Sequence, residues 1–253
     1  SDLIIMNNGP LISIIIPSYK MGKYIGEALE SVGKQKYENW EVIAVDDCGP
    51  EDGTKEIMEA YAACHPRHRI EFIRHQKNGG VSKARNTGIE ASKGNLLAFL
   101  DPDDIWEPEY LLSHVGKLES DQNIAVSYTG ASMIDENSIK IGRWFGPVEG
   151  QSQCLPESLY INCFILPSAV LVRKESLVSC GGFDEASEMQ HVEDWDLWLR
   201  MMEKGMQFSY TPSAVCLWRR HAEASTGQME DVRSREQVLR KKHEKLLDRY
   251  SRK

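Results

Sequence analysis

The sequence predicts an α/β fold: a mostly parallel sheet, doubly wound, with helices on both faces. Short β-branched or apolar runs alternate with amphipathic stretches through the first half of the chain, which is the pattern of β-α-β units. Each run is nearly continuous in apolar residues, as a strand covered on both faces should be. The chain has 253 residues, 41% hydrophobic and 27% charged, enough for one large domain or two small ones. That composition excludes disorder, collagen-like repeats and a disulfide miniprotein.

In chain order, the expected strands are 11–16, 41–45, 70–74 and 96–100, separated by helices near 22–36, 53–64 and 81–92. Beyond Leu100 the alternation loosens. Residues 110–119 read as a helix, 124–128 and 169–172 as strands, and 141–156, which contains Gly and Pro, as a long loop or hairpin. Trp195, Trp198, Leu199 and Met202 recur at i, i+3, i+4 and i+7, one buried face of a helix. From Arg219 to Lys253 there are 11 Lys or Arg against 6 Asp or Glu, a net of +5, so the preceding 218 residues carry −13 and the chain −8. Val232, Leu239 and Leu246 recur every seven residues there, predicting a basic amphipathic helix over 229–253, either laid on the domain or touching a partner or an anionic membrane surface.

The acidic balance argues against nucleic acid as the main partner. No run approaches the roughly 18 apolar residues of a membrane span, and no signal-peptide pattern opens the chain, so a cytoplasmic protein is expected. Ser1 in place of Met suggests a processed start. Cys48, Cys64, Cys154, Cys163, Cys180 and Cys216 are scattered, without C-x-x-C pairs, so reduced thiols are expected.

Ligands bind beyond the carboxyl ends of strands in open α/β sheets. The first strand ends in Pro17-Ser18-Tyr19, the second in Asp46-Asp47 and the fourth in Asp101-Pro102-Asp103-Asp104. If those strands are neighbours, several carboxylates and an aromatic ring share one rim. Like-charged carboxylates call for a cation, and oxygen ligands favour Mg²⁺ or Mn²⁺, which fills its other positions with water and phosphate. The alternative for D-P-D-D is a turn that caps a helix starting near Pro108. Gly79-Gly80 leads into a helix carrying Lys83 and Arg85, a loop suited to phosphate. It matches neither G-x-x-x-x-G-K-[ST] nor G-x-G-x-x-G, which disfavours nucleotide hydrolysis and hydride transfer. Glu193-Asp194 opens the tryptophan-bearing helix, where an acid either stabilises the first turn or serves as a general base. Trp218-Arg219-Arg220-His221 follows a last short strand and offers a histidine for metal or phosphate.

Taken together, SIIIPSYKMGKYIGEALESV at 13–32, WEVIAVDDCGPEDGT at 40–54, NGGVSKARNTGIEASKGNLLAFLDPDDIWEPEYL at 78–111, GGFDE at 181–185 and EDWDLWLR at 193–200 resemble the family-2 glycosyltransferases of the GT-A fold. The resemblance implies a Rossmann-like domain over 1–228, its nucleotide half about 11–105 and its acceptor half about 106–228. It implies transfer of a sugar from a nucleotide-sugar donor, favouring uridine diphosphate, to a glycan or lipid-linked saccharide, with inversion. By the same resemblance Pro17, Ser18 and Tyr19 would contact the nucleotide, Asp47 the base, and Asp46 would support that loop. Lys83 and Arg85 would lie against nucleotide or phosphates, and Asp101-Pro102-Asp103 would be the D-x-D element. Asp103 would then be the main metal ligand with Asp101 near ribose or metal-bound water, His221 would sit near metal and diphosphate, and Asp194 would be the base.

The Q-x-x-R-W motif of processive synthases is absent from the sequence, so one sugar per encounter is expected. The implied setting is polysaccharide or lipid-linked oligosaccharide assembly at the inner face of a membrane, with a homodimer left open. Competing readings are a catalytically silent sugar-nucleotide-binding protein and a haloacid-dehalogenase-like phosphatase using Asp101 as nucleophile.

Overall fold

The computed structural model describes residues 9–147, 155–222 and 229–251. Its main sheet has seven strands in the order β10-β6-β9-β4-β1-β2-β3: β1 (Ile12–Ser18), β2 (Trp40–Asp46), β3 (Ile70–Arg74), β4 (Leu96–Phe99), β6 (Ile124–Tyr128), β9 (Val170–Arg173) and β10 (Gln207–Tyr210). Strands β3, β2, β1 and β4 are parallel, as are β6 and β10, while β9 runs antiparallel between β4 and β6.

Every residue of β1, β2 and β4 is buried, whereas β3 at the sheet edge is only half-buried. Alternate side chains feed two cores. Ile12, Ile14, Ile16, Leu96 and Ala98 pack with α1 (Ile25–Gly33) and α4 (Tyr110–Ser120). On the other face Ile15, Leu97, Phe99, Val126 and Val172 pack against α7 (Glu193–Glu203). Helix α1 buries Ile25, Ala28, Leu29 and Val32, an i, i+3, i+4, i+7 stripe. Between β2 and β3 runs α2 (Thr54–Cys64), and α3 (Val81–Ala91) precedes β4.

A second sheet, β5-β11-β7-β8, holds β5 (Ile105–Trp106), β7 (Ala131–Ile134), β8 (Lys140–Phe145) and β11 (Cys216–Arg219). Its Trp106, Ala131 and Cys216 join the same core as Ile12 and Ile14, so both sheets belong to one domain. Strand β8 takes the start of the expected loop, pairing with β7 as a hairpin. Residues 148–154 of that stretch, Cys154 among them, lie outside the described residues, and α5 (Leu155–Ile161) follows. Helix α6 (Lys174–Ser179) comes directly after β9. The five described cysteines are free.

Two expectations need correction. Helix α7 is buried nearly all round: Trp195 and Leu199 face one cluster, Leu197, Trp198 and Met201 another, and of the expected stripe Met202 is only partly buried. The tail is two helices, α8 (Met229–Lys242) and α9 (Glu244–Ser251), meeting at His243. Leu239 and Leu246 are buried against the domain, which turns that part of the apolar stripe inward, away from any membrane. The Val232 side chain lies outside the described residues. Among the described residues no helix is long and apolar enough to cross a membrane.

Candidate active site

Because β2, β1 and β4 are adjacent and parallel, their carboxyl ends bring the three expected loops to one rim. Pro17 and Ser18 are the last buried residues of β1. Asp47 donates its N–H to the Ser18 carbonyl at 2.8 Å, joining the first two loops. The Tyr19 ring is 42% exposed, with the Lys20 ammonium 5.1 Å from its centroid. Lys20 and Cys48 adopt left-handed backbone, φ 60° and 59°, and so does His191 before α7 at 70°. Such backbone strain in non-glycine residues is concentrated at functional loops.

Asp46 accepts hydrogen bonds from the Gly49 N–H at 2.9 Å and from Arg74 at 2.7 Å. Asp47 accepts from the Gly79 N–H at 2.9 Å and the Gly80 N–H at 2.7 Å, and the His75 ring meets it at 2.7 Å. His75 in turn reaches Thr87 Oγ1 at 2.9 Å. The loop amides that the sequence offered to phosphate are therefore taken by Asp47, a buried carboxylate that must be paired. Gly80 itself has φ 88°, and a Cβ there would stand 2.7 Å from Gln190 Nε2, so this loop packs directly on the approach to α7.

Arg85 departs from expectation too. It is buried, donating to Glu193 Oε1 at 2.7 Å and Asp101 Oδ1 at 2.9 Å. Burial alone would lower its pKa, but the two carboxylates outweigh that and keep it charged. With both terminal nitrogens so engaged, Arg85 braces the D-x-D turn against the start of α7 and is not a free cation for phosphate. Lys83 is half exposed, 3.6 Å from Glu185. Asn86 fastens the same helix to the G-G-F-D-E loop, donating to the Phe183 carbonyl at 2.9 Å and to Glu185 at 2.8 Å.

The D-x-D stretch forms a turn, with Asp104 N–H on the Asp101 carbonyl at 2.9 Å, and Pro102 is buried within it. No side chain caps α4, so the helix-cap alternative does not describe it. Asp103 Oδ2 lies 3.0 Å from His221 Nε2. Burial and then the neighbouring Asp101 charge raise the Asp103 carboxyl, and burial with both neighbours raises Asp104 further. His221 Nδ1 is buried without a hydrogen-bond partner. Among the described residues no three His, Cys, Asp or Glu side chains gather to hold a metal by themselves. Asp103 and His221, with Asp101 beside them, still suit a hard cation that completes its shell with phosphate and water.

Trp218 and Arg219 lie inside β11 rather than after it, so only Arg220 and His221 follow the strand. Arg219 is buried and faces protein: its Nε donates to the Asp103 carbonyl at 2.7 Å, its guanidinium to Ser138 and Glu27 at 2.9 Å, and its N–H to Asp104 at 3.0 Å.

Asp194 sits in the first turn of α7. Its Oδ1 accepts the Trp195 N–H at 2.7 Å, and the Cys163 thiol stands 4.0 Å from Oδ2. Burial, then the charge of Glu193, push its carboxyl up to about 7. Residues the sequence did not single out as partners complete the picture: His75, Glu193, Ser168, whose hydroxyl takes the Asp101 N–H at 3.0 Å, and Cys163. Only Glu193 had a local signal, its place beside Asp194.

The matching family model is Glycosyl transferase family 2, over residues 13–178. The glucosyltransferase WfgD of Escherichia coli, described as acting from UDP-Glc on α-D-GlcNAc-diphosphoundecaprenol, is 30% identical over 193 residues, 76% of this chain and 70% of WfgD. TarS 1–349 of S. aureus in complex with UDP-GlcNAc superposes with TM-score 0.71 at 20% identity, over 90% of this chain and 65% of that one. A mannosyltransferase from Pyrobaculum calidifontis with GDP-Man and Mn²⁺ gives 0.65 at 19% identity, over 88% and 59%. Another relative, the Sinorhizobium fredii protein y4gI, is 31% identical over 217 residues, 85% of this chain, but the chain spans only 23% of its length. The chain thus belongs to glycosyl transferase family 2 and has the GT-A fold.

Proposed function

We propose that this chain transfers a sugar from a uridine diphosphate sugar to a hydroxyl of a glycan or lipid-linked saccharide, with inversion and one sugar per encounter. One observation carries the reading: an acid poised near neutrality, Asp194, is tied through Glu193, Arg85 and Asp101 to a turn of carboxylates beside a histidine. In a single displacement Asp194 takes the acceptor proton as the new anomeric C–O bond forms and the bond to the diphosphate breaks, and a pKa near 7 suits that task. Tyr19, exposed at the rim, offers a face for the base, beside Asp46 and Asp47. Lys83 is the half-exposed cation for phosphate.

Asp103 and His221, with Asp101 beside them, would hold Mg²⁺ or Mn²⁺. Such an ion supplies, when bound, charge neutralisation of the departing diphosphate. The Mn²⁺ in the Pyrobaculum structure supports this choice, the UDP-Glc of WfgD and the UDP-GlcNAc bound to TarS support the uridine nucleotide, and the diphosphoundecaprenol-linked acceptor of WfgD supports a lipid-linked one. A cytoplasmic setting suits such an acceptor. Screening UDP-, GDP- and dTDP-sugars for metal-dependent thermal stabilisation, then for turnover, tests the donor. Asp194→Asn is expected to keep donor binding and lose transfer; wild-type transfer by that variant would remove Asp194 from the base role.

A further inference from the structure

The basic tail takes no part in the site, yet it is fastened to the helix that carries Asp194. Leu239 and Leu246 pack with Met189, Val192, Trp195 and Leu199. Around that apolar contact the tail directs its cations at α7 and the loop before it. Lys242 Nζ lies 2.8 Å from Asp196 Oδ1 and 2.5 Å from Asp184 Oδ2, and His243 Nε2 is 2.8 Å from the same Asp196 oxygen. Arg235 donates to the carbonyls of Ser187 at 2.8 Å and Gln190 at 3.1 Å. Arg240 donates to the Ile161 carbonyl at 2.8 Å, its guanidinium 5.2 Å from the Trp195 ring centroid.

The start of α7 needs such support. Its N-cap, Val192, makes no side-chain cap bond, and its first turn carries three acids, Glu193, Asp194 and Asp196. Arg85 answers Glu193. Asp196 is inaccessible to solvent, and although burial alone would raise it, His243, Arg200 and Lys242 hold it well below the ordinary carboxylate range. Asp194 is the acid left without a cation in contact. At about 100° per residue, Asp194 and Asp196 project to nearly opposite sides of α7, so the tail holds the back of the helix whose front bears the base.

We propose that the C-terminal helical pair is a positioning element for the transfer site: by gripping Asp196, Trp195 and the 187–190 carbonyls from behind, it sets the first turn of α7 and the Asp194 carboxylate. This rests on the assignment of Asp194 as base. The test uses the full chain with His243→Leu and the conservative His243→Gln, UDP with Mn²⁺ as binding probe, and turnover of the nucleotide sugar selected by the screen. His243→Leu is expected to lower kcat on the order of tenfold, as misplaced groups do. The donor KM and the thermal shift with UDP should stay within about twofold. His243→Gln, which keeps an N–H at that reach, restores most of the loss. Amide exchange of residues 191–198 rises in His243→Leu, while residues 12–18 are unchanged.

Wild-type kcat and exchange in His243→Leu would overturn the proposal, and so would parallel loss of kcat, donor binding and global stability, the mark of a structural role alone. Should His243→Leu not fold, Lys242→Gln, at a more exposed site, is read by the same split. Transfer surviving Asp194→Asn would sink the assignment of the base while leaving the exchange result standing.

Discussion

Two groups of carboxylates share the rim, and they are treated oppositely. Asp46 and Asp47 at the end of β2 are wrapped by N–H donors, an arginine and a histidine ring. Asp103, Asp104 and Asp194 are buried with too little compensation, and burial raises all three. A buried carboxylate whose hydrogen bonds offset its burial holds loops together, whereas one whose burial outweighs its hydrogen bonds is pushed toward its protonated form. Acidic motifs of the same composition thus differ in how far their surroundings offset burial, a difference that the tertiary structure sets.

The largest expected effect, and the hardest test of this division, is Asp194→Asn, which should reduce transfer on the order of 10³-fold with donor binding intact, measured by steady-state kinetics and UDP binding. In the wild type, kcat/KM should rise with pH through about 7 and then level, because the base works deprotonated. The same carboxyl lies above its ordinary value of 3.8 when folded, so its ionisation opposes folding increasingly between about pH 4 and pH 7. Urea midpoints should show the stability advantage of Asp194→Asn widening over that range; an advantage independent of pH would contradict it.

Next comes Asp103→Ala, which should lower kcat/KM roughly 10²-fold and abolish the metal dependence of thermal stabilisation by UDP. Asp47→Ala belongs to the other group and should act first on stability, by about 2 kcal/mol, since it removes the charged acceptor of the Gly79 and Gly80 N–H groups; denaturant titration reads it. If Asp47→Ala were as stable as the wild type, the framework role would fall. Smallest is Lys83→Ala. Its partly exposed pair with Glu185 contributes less than about 0.5 kcal/mol, so any effect beyond that should appear in the donor KM.

Much of the fold was legible in the chain. The strands read as 70–74 and 124–128 coincide with β3 and β6, and the other expected strands fall within one or two residues of those observed, because two-face burial leaves continuous apolar runs. The reversed strand β9 looked no different from a parallel one, since direction is set by which neighbour it meets. Within the candidate site, the motif positions pointed to the one rim where β1, β2 and β4 end, but not to partners. Arg85 read as a phosphate cation; it is a buried brace 108 residues from the carboxylate of Glu193, and Arg219, which the sequence did not single out, is another, 192 residues from Glu27. Glu41 read as an ordinary strand start, yet it is buried at the opposite end of β2 against Ser13 and Arg69.

The net charge of −8 divides, on the sequence alone, into a body of −13 and a tail of +5, and periodicity alone marks Leu239 and Leu246 as one face. Where that charge and that face go was decided by tertiary structure. Lys242 and His243 meet an Asp196 that is 46 and 47 residues away in the chain. Apolar patterning is local and survives in the sequence. Ion pairs depend on which distant groups folding brings within about 3 Å of each other, and no spacing along the chain records that.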